Sequence, residues 1–500
     1  MVSDTETVMS HDEFPQALIE ILTRVQAFIH SRGLACYLVG GLLRDQLSGR
    51  PFTYLNIDLA VPKDALNVSR ALAAHLHGAF VPLDEEAGSA RVVARAEGQR
   101  IELDVSEFRG TTLDEDLRRR DFTMNAMAVA LEDWLRAPHQ PHPLIDPLQG
   151  RQALQSRRLL PCFPETFAED PVRILRAFRF VAQLELTLDP AALPLMARAL
   201  DALPRVSGER VRDELLAICD TDRAHAALLS LNELGALDVI FPELSAGRGV
   251  AQGAFHHLDV FGHQLETVAQ ADRFLAGFAE FSAALREPMA RYCAEQLVER
   301  RSRKGLIKLA GLLHDVGKPA RRTVEPDGEI WFLGHEETGA ELAVGIVERL
   351  RLSNREGDMV CQLVRHHLRP GFLSREPTLS RRAIYRFFKE LGDNGPGCLL
   401  TWWADRMATR GSQSRLDQID VQRARLEELL TAYFFQAEEV VKPPRLIDGH
   451  QLMAALHLQP GPILGDLLGA IEEAQAEGRI RTSEEALALA RAHFEQRRTA

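Results

Sequence analysis

The sequence predicts an α/β head followed by a long, mostly helical body. Three observations carry that prediction. Strand and helix signals alternate from Pro15 to about Pro147. From about Glu165 onward, apolar residues recur at helical spacing and strand signals nearly stop. The chain has 500 residues, too many for one core, and a prior of about 100–200 residues per domain gives about three domains.

Taken in order, HDEFPQALIEILTRVQAFIHSRG reads as an amphipathic helix ending at a glycine. ACYLVGG and LNIDLAVP read as strands, and ALNVSRALAAHLHGA as a helix. FVPLD, ARVVARA and RIELDVSEF read as further strands. Helical breaks fall at FPELSAGRGVAQG, from Phe241 to Gly253, and at VVKPPRLIDGH, from Val440 to His450. The expected division is a head over 1–160, a helical neck over 161–250, a third domain over 251–410 and a helical tail over 411–500.

At 46% hydrophobic and 26% charged, the composition is that of a globular chain. It holds no apolar run of about 18 residues, so no membrane-spanning helix is expected. The acidic start MVSDTETVMSHDEFPQ lacks an apolar signal core, which points to the cytoplasm. Six scattered cysteines without a CxxC pair read as reduced thiols rather than a disulfide frame or zinc site. A net charge of -12 excludes an overall basic protein, but not a local cluster of arginines able to hold phosphate.

The head carries most of the chemistry. In LVGGLLRD, Gly40 and Gly41 end a strand and open a helix, so backbone amides face outward and a phosphate can approach. Arg44 follows in the first helical turn. In NIDLA, Asn56 and Asp58 are two apart on a strand and share a face. Carboxylates paired in this way suit divalent ions that bridge a nucleotide's phosphates. Asp104 in RIELDVSEFRG offers another acid, and Glu102 on the same face is the fallback. In DEDLRRRDFTMNAMAVAL, Arg120 is a phosphate candidate, while Asp121 and Asn125 are candidates for organising a sugar or a loop. The plain alternatives are a turn, a surface acid and a solvated helix start.

FAEDPVRILRAFRF places Asp170 just before a helix and spaces Arg173, Arg176 and Arg179 every three residues. An aspartate accepts from an exocyclic amino group while an arginine donates to the ring acceptor beside it. Such a pair fits cytosine and adenine, and excludes guanine and uracil at that edge. Read alone, the stretch is an arginine-rich amphipathic helix.

GGLLRD, NIDLA, LDVSEFR, RRDFTMNAMA, IDPLQG and EDPVRILRAFRF occur in this order, and with SGERVRDELL they cover roughly Ala35 to Leu244. The series resembles the class II tRNA nucleotidyltransferase and bacterial poly(A) polymerase superfamily. The resemblance implies a polymerase-β-like nucleotidyltransferase head on a helical neck. It implies Asp58 and Asp104 as catalytic carboxylates, and Asn56, Asp58 and Asp104 at Mg²⁺, with Asp104 taking a proton from the RNA 3′-hydroxyl. It further implies Gly41, Arg44 and Arg120 at the nucleotide, and Asp170, Arg173, Arg176 and Arg179 as the selector of CTP and ATP. Asn56 departs from the family, which has aspartate there. One unit charge at about 4 Å is worth roughly 4 kcal/mol at an effective dielectric near 20. Expressed only in the transition state, that is on the order of a thousandfold in rate. The head is therefore expected to be active but weakened.

The body holds a second cluster. FHHLDVFGHQLETV carries His256, His257, Asp259 and His263, and LIKLAGLLHDVGKPA ends an apolar helix on His314 and Asp315. His335, His366, His367 and Asp405 lie further on. A buried His-Asp pair needs a partner such as a metal. The spacing resembles the HD phosphohydrolase superfamily. That resemblance implies His263, His314, Asp315 and Asp405 as core ligands, with Lys318 following. His335 with His366 or His367 would sit at a second metal or a substrate phosphate. A divalent transition metal such as Ni²⁺ or Mn²⁺ is implied. The tail, with Gly461 at a helix start, also resembles the C-terminal part of nucleotidyltransferases that carry an HD domain.

Together these resemblances imply a tRNA 3′-end nucleotidyltransferase that adds C and A from CTP and ATP, with HD phosphohydrolase activity. Two alternatives stay open. One is narrower output, as an A-adding, CC-adding or poly(A) enzyme. The other is an RNA-binding head impaired at Asn56, with hydrolysis as the only chemistry. Oligomeric state is not legible.

Overall fold

A computed structural model describes residues 15–50, 56–138, 140, 142–298 and 300–499. The acidic start, and residues 51–55 of the loop before NIDLA, lie outside the described residues. The chain forms two compact units, Met1–Arg205 and Val206–Ala500. Residues expected as one neck therefore contribute to both.

In the first unit, six strands form one mixed sheet: β1 (Tyr37–Val39), β2 (Asn56–Val61), β3 (Ala79–Asp84), β4 (Ser89–Ala96), β5 (Gln99–Glu107) and β6 (Ala128–Ala130). Their order is β3-β4-β5-β2-β1-β6. Only the central β2–β5 pair is parallel, and every other pairing in the sheet is antiparallel. The helix Gln16–His30 turns Leu18, Ile21, Leu22, Val25 and Ile29 onto one side, the spacing of a single helical face. That face and the helix Ala65–His75 cover Leu38, Ile57, Leu59, Val61, Leu103 and Val105 on one side of the sheet.

Side chains alternate along a strand, so burying Ile57 and Leu59 on that side turns Asn56 and Asp58 to the other. There a smaller cluster of Val39, Ala60, Leu117, Ala126 and Ala128 supports the polar residues. The arginine-bearing helix runs over Arg173–Leu184, with Asp170 ahead of it at the end of the short helix Thr166–Glu169.

The second unit is mostly helical. Short paired strands, Gln296–Val298 with Arg301–Ser302 and Thr323–Val324 with Ile330–Trp331, interrupt it, within the region where strand signals nearly stop in the sequence. The helices Val260–Leu275, Arg303–Leu313, His335–Arg349, Asn354–His366 and Gly395–Ala408 carry the histidines and acids of interest. Their starts are set by local chemistry. Asp259, Ser302 and Ser353 each accept a first-turn backbone N–H, and Ser353 forms a reciprocal box with Glu356. The tail helices Gly449–Leu456, Pro462–Ala476 and Ser483–Thr499 share an apolar cluster of their own around Leu452, Leu467 and Ile471.

Candidate active site in the head and candidate metal centre in the body

The parallel register of β2 and β5 places Asn56 opposite Glu102 and Asp58 opposite Asp104. Two rungs of polar side chains therefore share one face of the sheet. Asp58 lies beside the turn from β1 into the helix Gly41–Leu47, and its Oδ2 accepts from the Gly41 amide at 3.3 Å. Gly40 sits at φ +70°, and a Cβ there would stand 2.4 Å from Asp58 Oδ2. The first glycine thus admits the carboxylate, while the second offers its amide. Burial, and after it the Asp104 charge, raise the Asp58 carboxyl above its ordinary value. The Gly41 amide, Arg120 and Arg44 pull the other way. A raised, half-buried carboxyl beside another acid is a place where a cation is electrostatically welcome. Asn56 Oδ1 is buried, with no hydrogen-bond partner among the described residues. A divalent ion fits this set, because it supplies what the orphaned amide oxygen and the paired acids lack.

Asp104 is engaged differently. Arg91, its cross-strand partner on β4, donates to Asp104 Oδ1 at 2.7 Å and Oδ2 at 2.9 Å. The remaining arm of Arg91 reaches Glu102 Oε2 at 2.8 Å.

Around the acids, Arg44 donates to Asp45 and, at 3.1 Å, to Asn125 Oδ1. Asn125 donates to Asp121 Oδ1 at 3.1 Å, and Arg176 reaches Asp121 Oδ2 at 3.2 Å. Arg120 is held by Asp116 at 2.9 Å. Arg173 is buried. It donates to the Thr166 carbonyl and lies 3.8 Å from Asp170 Oδ2. Arg179 sits 4.6 Å from the Phe180 ring centroid. The expected four-residue stripe thus divides. Asp170 and Arg173 stay together, while Arg176 joins the Asp121 network.

In the second unit, His263, His314, Asp315, His335, His367 and Asp405 converge. His263 Nε2 lies 2.9 Å from Asp405 Oδ1, and His314 Nε2 lies 3.1 Å from Asp315 Oδ2. The other Asp315 oxygen faces His335 Nε2 at 3.2 Å and His367 Nε2 at 3.7 Å. Three of the rings are locked by backbone carbonyls. Nδ1 of His314, His335 and His367 pairs with the carbonyl of Gly311, Phe332 and Val364 at 2.8, 2.8 and 2.7 Å. An Nδ1–H donated in this way leaves each Nε2 lone pair directed inward, the arrangement metal-binding histidines need. The ligand atoms of His263, His314 and Asp405 lie within 4.8 Å of one another, as do those of His314, Asp315 and His367. No hydrogen bond of good geometry among the described residues ends on His314 Nε2. The donor set fits one or two divalent ions, with Asp315 offering one oxygen to each side. Lys318 adds a cation 2.6 Å from Asp315 Oδ2, itself held by Gln252.

Electrostatics differ from ring to ring. Burial opposes a charge on His314, yet Asp315 and Asp405 lift the imidazole above its ordinary value. Burial, followed by His314 and His335, pushes His367 down to about 3. Asp315 is held well below the carboxylate range by His314 and Lys318, against its burial.

His366, expected at the second metal or a phosphate, is not in this cluster. Its Nε2 faces Glu390 at 3.7 Å on a half-buried surface. Neighbouring helical positions point about 100° apart, and the buried face of Asn354–His366 runs through Met359, Val360, Leu363 and Val364. His367, three residues beyond Val364, four beyond Leu363 and seven beyond Val360, falls at the centre of that face, whereas His366 falls at its edge.

Comparison with known proteins decides the family. The Poly A polymerase head domain matches residues 36–160, and the Probable RNA and SrmB- binding site of polymerase A matches 185–247. The HD domain matches 261–391, and tRNA nucleotidyltransferase domain 2 matches 400–490. The chain is 38% identical to the A-adding tRNA nucleotidyltransferase of Deinococcus radiodurans, over 90% of this chain and 94% of that one. It is 35% identical to the CC-adding tRNA nucleotidyltransferase of Thermus thermophilus, over 90% and 92%. The chain belongs to the tRNA nucleotidyltransferase family. The fold agrees with a Thermotoga maritima CCA-adding enzyme complexed with tRNA, at TM-score 0.57 and 20% identity, covering 97% of both chains.

In this nucleotidyltransferase, head and HD domain are both of kinds that depend on metal in general. No helix among the described residues is long and apolar enough to cross a membrane. Reasoning from sequence missed Arg91, whose signal is a basic residue alternating with the core-facing Ala90, Val92 and Ala94 of its strand. It also missed Gln252, and it named His256 with the cluster without giving a role to its ring, which stands 4.5 Å from that of His263.

Proposed function

We propose that the head transfers CMP and AMP from CTP and ATP to tRNA 3′ ends, with Asp58 and Asp104 as its catalytic carboxylates. The observation that carries this is the Asp58–Asp104 rung beside the Gly41 amide. Asn56, Asp58 and Asp104 would hold Mg²⁺, which when bound offsets triphosphate charge and eases loss of the hydroxyl proton. Asp104 accepts that proton once Arg91 yields an oxygen. Arg44 and Arg120 bind phosphate. Asp170 and Arg173 read the amino group and adjacent acceptor shared by C and A. Arg176 acts through Asp121, and Arg179 lines the same helix. A tRNA lacking its 3′ end, incubated with CTP, ATP and Mg²⁺ or Mn²⁺, should be extended by wild type and not by Asp58→Ala.

A second reading confines output to part of the CCA end. It is favoured because the A-adding and CC-adding relatives match nine-tenths of this chain, whereas a multifunctional CCA protein from Pseudomonas fluorescens matches 66%. Sequencing the product on tRNAs ending before, within and after CC separates the outcomes. The acidic chain weighs against poly(A) synthesis.

For the second unit we propose metal-dependent phosphoester hydrolysis. His263, His314, Asp315 and Asp405 would hold one divalent ion such as Ni²⁺ or Mn²⁺. His335 and His367, with Asp315, would hold a second ion or the substrate phosphate. Lys318 steadies Asp315. A panel of 2′,3′-cyclic phosphates, 2′-nucleotides and phosphomonoesters, assayed with each metal, tests this; no turnover with any of them would overturn it.

A further inference from the structure

Asn56 looks like a lost charge when β2 is read alone. Across the sheet, the charge has a counterpart. Asn56 is paired in register with Glu102, and Glu102 is buried on the same face. Neighbouring strands lie about 4.8 Å apart, so an aspartate at 56 would set a second carboxylate against Glu102 with little water between them. Four acids would then occupy two adjacent rungs, with Arg91 shared between two of them. An amide at 56 removes that conflict and leaves three acids on the face: Asp58, Glu102 and Asp104.

Arg91 links two of those acids. It holds Asp104 with two nitrogens at 2.7 and 2.9 Å, and Glu102 with the third at 2.8 Å. Arg100 closes the other Glu102 oxygen at 2.6 Å. A guanidinium presenting a planar fork to two carboxylates divides its charge between them. If Glu102 were absent, Arg91 would neutralise Asp104 alone.

We propose that Glu102 supplies the negative charge position 56 lacks, the two residues forming one coupled pair across the β2–β5 rung, with Arg91 shared between Glu102 and Asp104. This rests on the transferase reading above. Glu102 is a positioning residue: it holds Arg91 so that Asp104 keeps enough of its own charge for an ion and for the RNA hydroxyl. Asn56, rather than a defect, is the residue that makes a buried Glu102 tolerable.

The test is a four-protein cycle in the full chain: wild type, Glu102→Gln, Asn56→Asp and the double variant. Free Mn²⁺ is titrated by electron paramagnetic resonance in the presence of a non-transferable ATP analogue. Ions held by the HD domain are common to all four proteins and cancel in the comparison. Glu102→Gln should weaken head Mn²⁺ binding at least about tenfold and slow tRNA extension. Asn56→Asp alone should improve neither. The double variant should recover most of what Glu102→Gln loses, because the charge returns on the neighbouring strand. Independent effects of the two substitutions, or a gain of Mn²⁺ affinity and rate from Asn56→Asp alone, overturn the proposal. If Glu102→Gln fails to fold, Glu102→Asp replaces it, with the same direction and smaller size expected. Wild type that binds Mn²⁺ yet extends no tRNA would sink the transferase reading instead, and the coupling would still be measured.

Discussion

Gly40 and Asp58 compete for the same few ångströms: a Cβ on Gly40 would lie 2.4 Å from Asp58 Oδ2. The glycine also holds φ +70°, a conformation that side-chain-bearing residues rarely adopt. Gly40→Ala should therefore push the carboxylate off its rung. Displacing a reacting group by about 1 Å costs on the order of a hundredfold in rate. We expect tRNA extension to fall by that order while phosphoester hydrolysis by the HD domain is unchanged. Equal loss of both activities would show global unfolding instead.

Arg44, Asn125, Asp121 and Arg176 form a continuous hydrogen-bonded chain, with steps of 3.1, 3.1 and 3.2 Å. It connects the helix that follows the glycine pair to the helix Arg173–Leu184. Arg176→Ala removes the ion pair on Asp121 Oδ2, so Asn125 and then Arg44 lose their fixed positions. The expected result is a KM for nucleotide raised about tenfold with a smaller change in kcat, since the loss falls on ground-state positioning. A kcat loss with unchanged KM would refute the relay.

Much of the head is legible residue by residue. Alternation along NIDLA and RIELDVSEF is enough to put Asn56 with Asp58, and Glu102 with Asp104, on common faces. What alternation cannot give is register, which is fixed by pairing between strands about 45 residues apart. The Asn56–Glu102 and Asp58–Asp104 rungs, and Arg91 as the shared partner, therefore emerge only from the sheet. The glycine pair reads as room for a phosphate. In the folded head, the nearer claimant on Gly40 is a carboxylate from the next strand. In HH at 366–367, either histidine fits the spacing. Which one turns inward depends on where the apolar stripe of a helix ends, a boundary local sequence states to within a residue or two.

Asp315 faces both histidine pairs and also balances Lys318. Asp315→Asn keeps the shape and removes the charge. Metal retained after gel filtration, measured by atomic emission, should drop to the level of the head alone, and hydrolysis should vanish. Lys318 then remains nearly buried without its counter-ion, which costs on the order of 3–5 kcal/mol. The metal-free variant should therefore also melt lower than metal-free wild type. Extension of tRNA by the intact head should persist at temperatures where the variant stays folded.

Acid should unfold the metal-stripped protein through its histidines. Burial pushes both His256 and His367 down to about 3, and lowers His263 as well. An unfolded histidine titrates near 6.5. Between about pH 6.5 and 3 the unfolded chain therefore binds protons that the folded chain refuses. Stability then rises with pH, by at most about 1.4 kcal/mol per pH unit for each such group. His314 works in the opposite sense, because its raised value adds stability that fades as pH climbs through it. His366 is lowered by burial too, and the raised Asp58 carboxyl works in the same sense as His314, so four lowered groups outweigh two raised ones and the net slope is positive. Chemical denaturation of the stripped protein at pH 7, 6, 5 and 4 should show a steadily falling midpoint. His367→Gln should flatten the profile by one proton's worth. A midpoint that does not fall toward pH 4, or a His367→Gln profile parallel to wild type, would refute the neutral, inward-facing state of that ring.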